Sequence, residues 1–217
     1  MRLRKKKGVE ELLTEFPNVI TNANEYKGHW GELFLNNHPI HLEIGMGRGG
    51  FLTALSKKNP EVNYIGMERV ATLVYDAVTR LGDYKPEHLK FIWNNAHNIE
   101  EIFAPSEIDR IYLNFSDPWP KQRHVKKRLT HRGFLEKYEE ILKPQGEIHF
   151  KTDNEGLFLF SLEELKEKNW TLKNITYDLH KDHNEDNVMT EYEKRFIAQG
   201  KKIFRLEAVS PKKQEAL

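Results

Sequence analysis

No cysteine occurs among the 217 residues, which excludes disulfides, zinc–thiolate sites, iron–sulfur clusters and thiol catalysis. The absence agrees with a reducing, cytoplasmic setting. No apolar run approaches the roughly 20 residues of a membrane span. The opening stretch, MRLRKKKGVEEL, is basic but has no apolar segment behind it, so it does not read as a signal peptide. Repeats, low-complexity tracts and long linkers are missing as well. A single domain is therefore expected, large enough to bury roughly 70% of its unfolded surface without staples.

Net charge is also scarce, only +1, but its distribution is uneven. Residues 1–7 carry five Lys/Arg and no acid, and residues 121–132 carry six, again with no acid. The remaining chain holds 23 bases against 33 acids. An acidic body with two short basic segments is the footprint of a local polyanion site. A solvated tail and a solvated loop are the plain alternative. That alternative is weaker for 121–132, which adjoins the end of an apolar strand.

What is there is alternation. Short helices are predicted at 9–16 and 29–35, and strands at 40–44 and 62–68. Further strands are read in HLKFIW, IDRIYLNF, EIHFKTD, WTLKNITYDLH and KIFRLEAV. Helical patterns separate them at about 50–59, 70–81, 98–103, 132–142, 156–169 and 190–199. A turn is predicted at Lys143-Pro144-Gln145-Gly146. Strands alternating with helices imply an α/β fold, a Rossmann-like, mostly parallel sheet covered on both faces. The closing strand–helix–strand suggests that the last of seven strands inserts antiparallel. In such a sheet, ligands bind outside the carboxyl ends of the strands.

The first strand runs into LEIGMGRGGFL. Gly45, Gly47 and Gly49 allow a tight turn and a close backbone approach, and the next helix offers free N–H groups. Glu68 ends the second strand, where a carboxylate can accept both ribose hydroxyls of an adenosine ligand. Gly45, Gly47 and Gly50 also spell the dinucleotide pattern G-x-G-x-x-G, so spacing leaves the ligand class open. Glu43 leans toward S-adenosylmethionine, because a carboxylate there suits a cation and would repel a pyrophosphate. Asn95, after the third strand, offers a side-chain oxygen to an adenine amino group, although a turn-forming Asn reads equally well.

The fourth strand ends in Asn114, Ser116 and Asp117. Pro118 and Pro120 stiffen the loop beyond it. A rigid carboxylate beside a methyl donor suggests transfer to a nitrogen that becomes positive. An Asp initiating a turn before Pro is the bland reading.

These stretches resemble a family. EIGMGRG, YIGME, YLNFSDPWPKQRHVKKRL, HFKTDN and MTEYEKRF are similar to the bacterial tRNA (guanine-N7)-methyltransferases over most of the chain. The resemblance implies a seven-stranded S-adenosylmethionine-dependent methyltransferase fold. It implies one domain, with a basic arm and short helices over 1–37, a core over 38–210 and a tail over 211–217. It implies cofactor contacts at Glu43, Glu68, Asn95 and Asp117, and a catalytic role for Asp117. It implies a guanosine side at Lys121, Asp153, Thr190, Glu191, Tyr192 and Glu193. Asn95 stands where the family commonly has Asp, and an amide oxygen accepts the same hydrogen bond. The basic loop, Arg123, Lys126, Lys127 and Arg128, is expected to hold tRNA phosphates. The spacing of Thr190 and Glu193 equally fits a helix capping box.

A nicotinamide-dependent oxidoreductase would use the glycine loop but not the basic one, and a silent RNA-binding protein would need no cofactor. His180, His183 and Asp182 lack a further ligand pattern, so no metal is expected. A monomer and a homodimer remain equally open.

Overall fold

The strand at Ile40–Ile44 (β2) is buried along its whole length, as an apolar run must be when helices cover both faces of a parallel sheet. It is the centre of an eight-stranded sheet. The computed structural model describes residues 8–182 and 187–212. The basic arm at 1–7, His183 and the end of the tail at 213–217 lie outside the described residues.

The other strands are β1 (Val19–Ile20), β3 (Asn63–Glu68), β4 (Leu89–Trp93), β5 (Ile108–Asn114), β6 (Leu142–Thr152), β7 (Thr171–Thr176) and β8 (Phe204–Val209). Their order is β1-β4-β3-β2-β5-β6-β8-β7. Strand order therefore reverses between β2 and β5, and the crevice above that point is where a ligand belongs in an open α/β sheet. All pairings from β1 to β6 are parallel, and β8 runs antiparallel to both β6 and β7. The antiparallel last strand is as expected. The eighth strand is the two-residue β1, which pairs with β4 at the edge and is too short to carry a readable alternation.

The turn expected at 143–146 lies inside β6. The partner strand advances from Ile108 to Arg110 while β6 advances from Leu142 to Glu147, so the extra residues form a bulge. Gln145 turns the backbone there with φ 64°. The turn-forming residues do mark a break, but the strand resumes its pairing beyond it.

The helices are α1 (Val9–Leu12), α2 (Trp30–Phe34), α3 (Gly50–Lys58), α4 (Ala71–Thr79), α5 (Ile99–Ile102), α6 (Arg132–Ile141), α7 (Glu155–Glu167) and α8 (Glu191–Ile197). Two apolar clusters fill the faces. The larger, around Leu42, Ile65, Ile111 and Phe150, includes Leu135 and Tyr138 of α6 and Phe158 of α7. The smaller, around Tyr64, Phe91 and Val74, packs α1, α3 and α4 on the opposite side. At roughly 25 cal/mol per Å² of apolar surface, this burial is the main force that places the strand ends. Among the described residues no helix is long and apolar enough to cross a membrane.

Candidate cofactor and nucleic-acid site

The carboxyl ends of β2, β3, β4 and β5 open into one cavity of about 570 Å³. Its walls include Glu43, Gly45, Gly47, Glu68, Asn95 and Asp117. The loop after β2 takes positive φ at Gly45 (79°), Gly47 (57°) and Gly49 (69°). A Cβ on Gly45 or Gly47 would meet nothing within 4 Å, so their lack of a side chain leaves room for a ligand. Gly49 answers to packing: its Cβ would sit 3.0 Å from that of Ala77 and 3.2 Å from the Phe91 ring.

Glu68 is buried, and its carboxylate is pinned by two backbone donors, Gly47 N at 3.2 Å and Val70 N at 3.0 Å. Burial raises its pKa, opposed by those same hydrogen bonds. The side chain therefore ties the glycine loop to the start of α4, and each oxygen keeps a lone pair for another donor.

Glu43 is 2% exposed. One oxygen accepts from Asn114 Nδ2 at 2.9 Å, while the other, Oε2, is buried without a partner. Burial pushes its pKa up to about 7, against the hydrogen bond from Asn114 and the charge of Lys151. An orphaned carboxylate oxygen in a cavity wall is costly unless a donor or cation arrives. The cavity thus fits a ligand that is adenosine-like along Glu68 and cationic near Glu43, the chemistry of S-adenosylmethionine.

Asn95 caps a 3₁₀ turn at Ala96–Asn98, its Oδ1 accepting from His97 N at 3.1 Å. Its side-chain oxygen thus holds this turn at the cavity wall.

Asp117 is exposed and lies beside Arg69, whose Nη2 is 3.7 Å from Asp117 Oδ2. Phe115 and Trp119 flank it with φ of 51° and 40°. Two aromatic residues in the left-handed region carry strain, which proteins tend to hold at functional sites. The segment is held from outside by Arg128, which donates to Pro118 O at 3.0 Å and Trp119 O at 3.3 Å. Its guanidinium also lies 4.4 Å from the Phe160 ring centroid.

Within the basic loop the cations differ in their surroundings. Arg128, expected on phosphates, spends its Nε and one Nη2 hydrogen on the loop it belongs to. Lys127 sits 4.8 Å over the Trp119 ring. Lys121, Arg123 and Lys126 are exposed and, among the described residues, have no ion-pair partner. They occupy the 3₁₀ turn at Gln122–Lys127 and its cap.

The residues expected on a guanosine side differ in their surroundings as well. Thr190, Glu191 and Tyr192 line the cavity. Asp153 pairs with Lys201 at 2.7 Å. Glu191 pairs with Arg80 at 2.5 Å. Glu193, expected beside them, is fully buried. Thr190 Oγ1 accepts from Glu193 N at 2.9 Å, and Glu193 answers toward Thr190 N, completing a capping box. Its carboxylate also meets Lys151 Nζ at 2.8 Å, so it holds the start of the helix in place. His180 sits 3.1 Å from Glu193 Oε1.

Sequence reasoning missed Arg69 and Lys151. Arg69 directly follows the strand-end acid Glu68, a position that could have been read. Lys151 reads as an ordinary solvated lysine in HFKTDN, and only burial reveals it.

A Rossmann-like sheet with a glycine loop, a strand-end acid and an unpaired acid toward the cavity defines a methyltransferase of the S-adenosylmethionine-dependent class. Residues 37–206 match a family described as "Putative methyltransferase". A tRNA (guanine-N(7)-)-methyltransferase of Geobacillus sp. is 48% identical over 216 residues, covering 99% of this chain and 98% of that protein. One from Brevibacillus brevis is 49% identical over 210 residues, covering 96% and 98%. A solved structure of an antibiotic-related methyltransferase superposes with TM-score 0.66 at 16% identity, covering 84% of this chain and 93% of the other, a likeness of fold. The chain belongs to the tRNA (guanine-N7)-methyltransferase family.

Proposed function

We propose that the protein transfers the methyl group of S-adenosylmethionine to N7 of a guanosine in tRNA, the variable-loop guanosine within this family. The observation that carries the proposal is that Asp117 lines the glycine-loop cavity and is followed within a few residues by the exposed cations Lys121, Arg123 and Lys126. S-adenosylmethionine supplies an electrophilic methyl on a positively charged sulfur. Glu68 is suited to receive ribose hydroxyls, Asn95 the adenine amino group, and Glu43 Oε2 the positive charge of the ligand.

Guanine N7 has an in-plane lone pair and no proton, so the attack needs no prior deprotonation. The protein must align the base and stabilise the positive charge that develops on the ring. Asp117, exposed and only loosely held by Arg69, is placed to do the second. Asp153 offers a carboxylate to the guanine N1–H and amino group once Lys201 gives way, with Thr190, Glu191 and Tyr192 forming the adjoining wall. The cations on the 3₁₀ turn hold phosphates.

Mass spectrometric mapping of an unmodified tRNA after incubation with S-adenosylmethionine tests this directly. A single 7-methylguanosine in the variable loop is expected. Methylation at another atom, or none, would sink the proposal.

A further inference from the structure

We infer that Lys151 is a positioning residue that seats the 187–193 segment over the cofactor cavity and thereby sets the affinity for tRNA. This rests on the reading of residues 190–192 as the tRNA side.

Lys151 is 6% exposed, on the sheet face that carries Asn114 opposite it in the β5–β6 register. An ammonium has three N–H donors, and all three are spent on one short stretch of chain. They reach Asn187 Oδ1 at 3.0 Å, Val188 O at 3.0 Å and Glu193 Oε2 at 2.8 Å. The charge also lies 5.1 Å from the Phe51 ring centroid. Asn187 donates in turn to the other Glu193 oxygen at 2.6 Å.

Among the described residues its other ties are weaker: the exposed Glu191–Arg80 pair, His180 beside Glu193 and the partly buried Val188. The only buried residue of α8 is Glu193, a carboxylate. A helix of this kind normally docks through an apolar stripe. Tyr192 and Phe196 touch the Phe115 ring at 6.4 and 5.7 Å between centroids, from the outside. The far end is tethered by the exposed Lys201–Asp153 pair, and exposed pairs contribute little. Removing one partner of a buried pair leaves an uncompensated charge, so loss of Lys151 should release the segment rather than merely loosen it. Thr190, Glu191 and Tyr192 would then no longer hold their places on the cavity wall. The floor formed by the glycine loop and Glu68 belongs to other elements and stays.

The test compares the full-length protein with Lys151→Met, using unmodified tRNA and labelled S-adenosylmethionine. The tRNA KM is expected to rise about tenfold or more, the scale of a lost charged hydrogen bond. S-adenosylmethionine affinity, measured by calorimetry above about pH 8 so that Glu43 is ionised despite the lost Lys151 charge, should fall less than tRNA affinity. Amide hydrogen exchange should quicken over residues 187–199 and stay unchanged in β6. Lys151→Arg, which keeps the charge, should recover part of the loss. A wild-type tRNA KM in Lys151→Met overturns the inference, as does a parallel loss of both affinities with faster exchange throughout the sheet. Should Lys151→Met fail to fold, Glu193→Gln keeps the cap and removes the anion. The same split, in weaker form, is then expected, and a wild-type tRNA KM overturns it. Failure of the unaltered protein to methylate tRNA would instead sink the function proposed above.

Discussion

Arg69 and Asp117 meet at 3.7 Å from the loops after β3 and β5, the two strands that flank β2. The pair therefore spans the end of the strand that delivers the glycine loop. Both side chains are more than half exposed, 61% and 69%, so the contact is worth at most about 1 kcal/mol. An incoming ligand can break it at little cost. Asp117→Asn keeps the shape but loses the charge beside the developing cation. Single-turnover methyl transfer is expected to slow on the order of 10²–10³, with tRNA affinity nearly unchanged. A near-wild-type rate at saturating cofactor would remove Asp117 from the reaction. A tRNA carrying 7-deazaguanosine at the target should bind and accept no methyl group.

Glu68 bridges Gly47 N and Val70 N, so Glu68→Ala takes away a ligand acceptor and slackens the loop at once. S-adenosylmethionine and its demethylated product should bind more weakly by roughly 1.5–3 kcal/mol in the absence of RNA. Calorimetry on a folded variant that showed unchanged affinity would exclude Glu68 from the cofactor site.

Glu43 gives a pH dependence. Burial raises its pKa from 4.5 to about 7 in the ligand-free protein. Between those values the folded chain binds more protons than the unfolded one, so this group's contribution to stability falls as pH rises through that window. A cationic ligand favours the ionised form, so cofactor affinity should rise with pH up to and through about 7. In Glu43→Gln both trends should flatten, while affinity above that window falls. Thermal melts and calorimetry from pH 5 to 8.5, roughly the range where such groups titrate, would show it. A pH slope that survives in the Gln variant would assign the effect elsewhere.

The basic loop should divide by role. Arg123→Glu with Lys126→Glu should weaken tRNA binding and lower the salt slope by about one unit for each phosphate no longer engaged, leaving the cofactor affinity as it was. Arg128→Ala should behave differently, because its guanidinium holds Pro118 O and Trp119 O. It should reduce the methylation rate through a misplaced Asp117, with little change in salt slope. Equal salt slopes for all three changes would contradict the division.

Several features are written locally and were legible without coordinates. The apolar run at 40–44 followed by glycines makes a strand, a tight turn and a helix entry whatever surrounds it. A carboxylate at each strand end, Glu68 and Asp117, then falls on the same rim because parallel strands all point one way. The bend around Gln145, the capping box of Thr190 and Glu193, and the cationic run at 121–132 are likewise short-range patterns. Partnership is different. Lys151 and Glu193 are 42 positions apart, and nothing in either neighbourhood marks the one as the partner of the other. Burial of both where α8 meets the sheet forces each to find the other, since an unpaired charge there is too costly to keep. The same desolvation leaves Glu43 half satisfied and raises its pKa. Packing also decided that Arg128 turns toward Pro118 and Trp119 while Lys121, Arg123 and Lys126 stay exposed, and that β8 enters between β6 and β7 to build the edge of the sheet. Local sequence determines which groups reach the rim, and the dielectric and geometry of the folded core determine which of them remain available to a ligand.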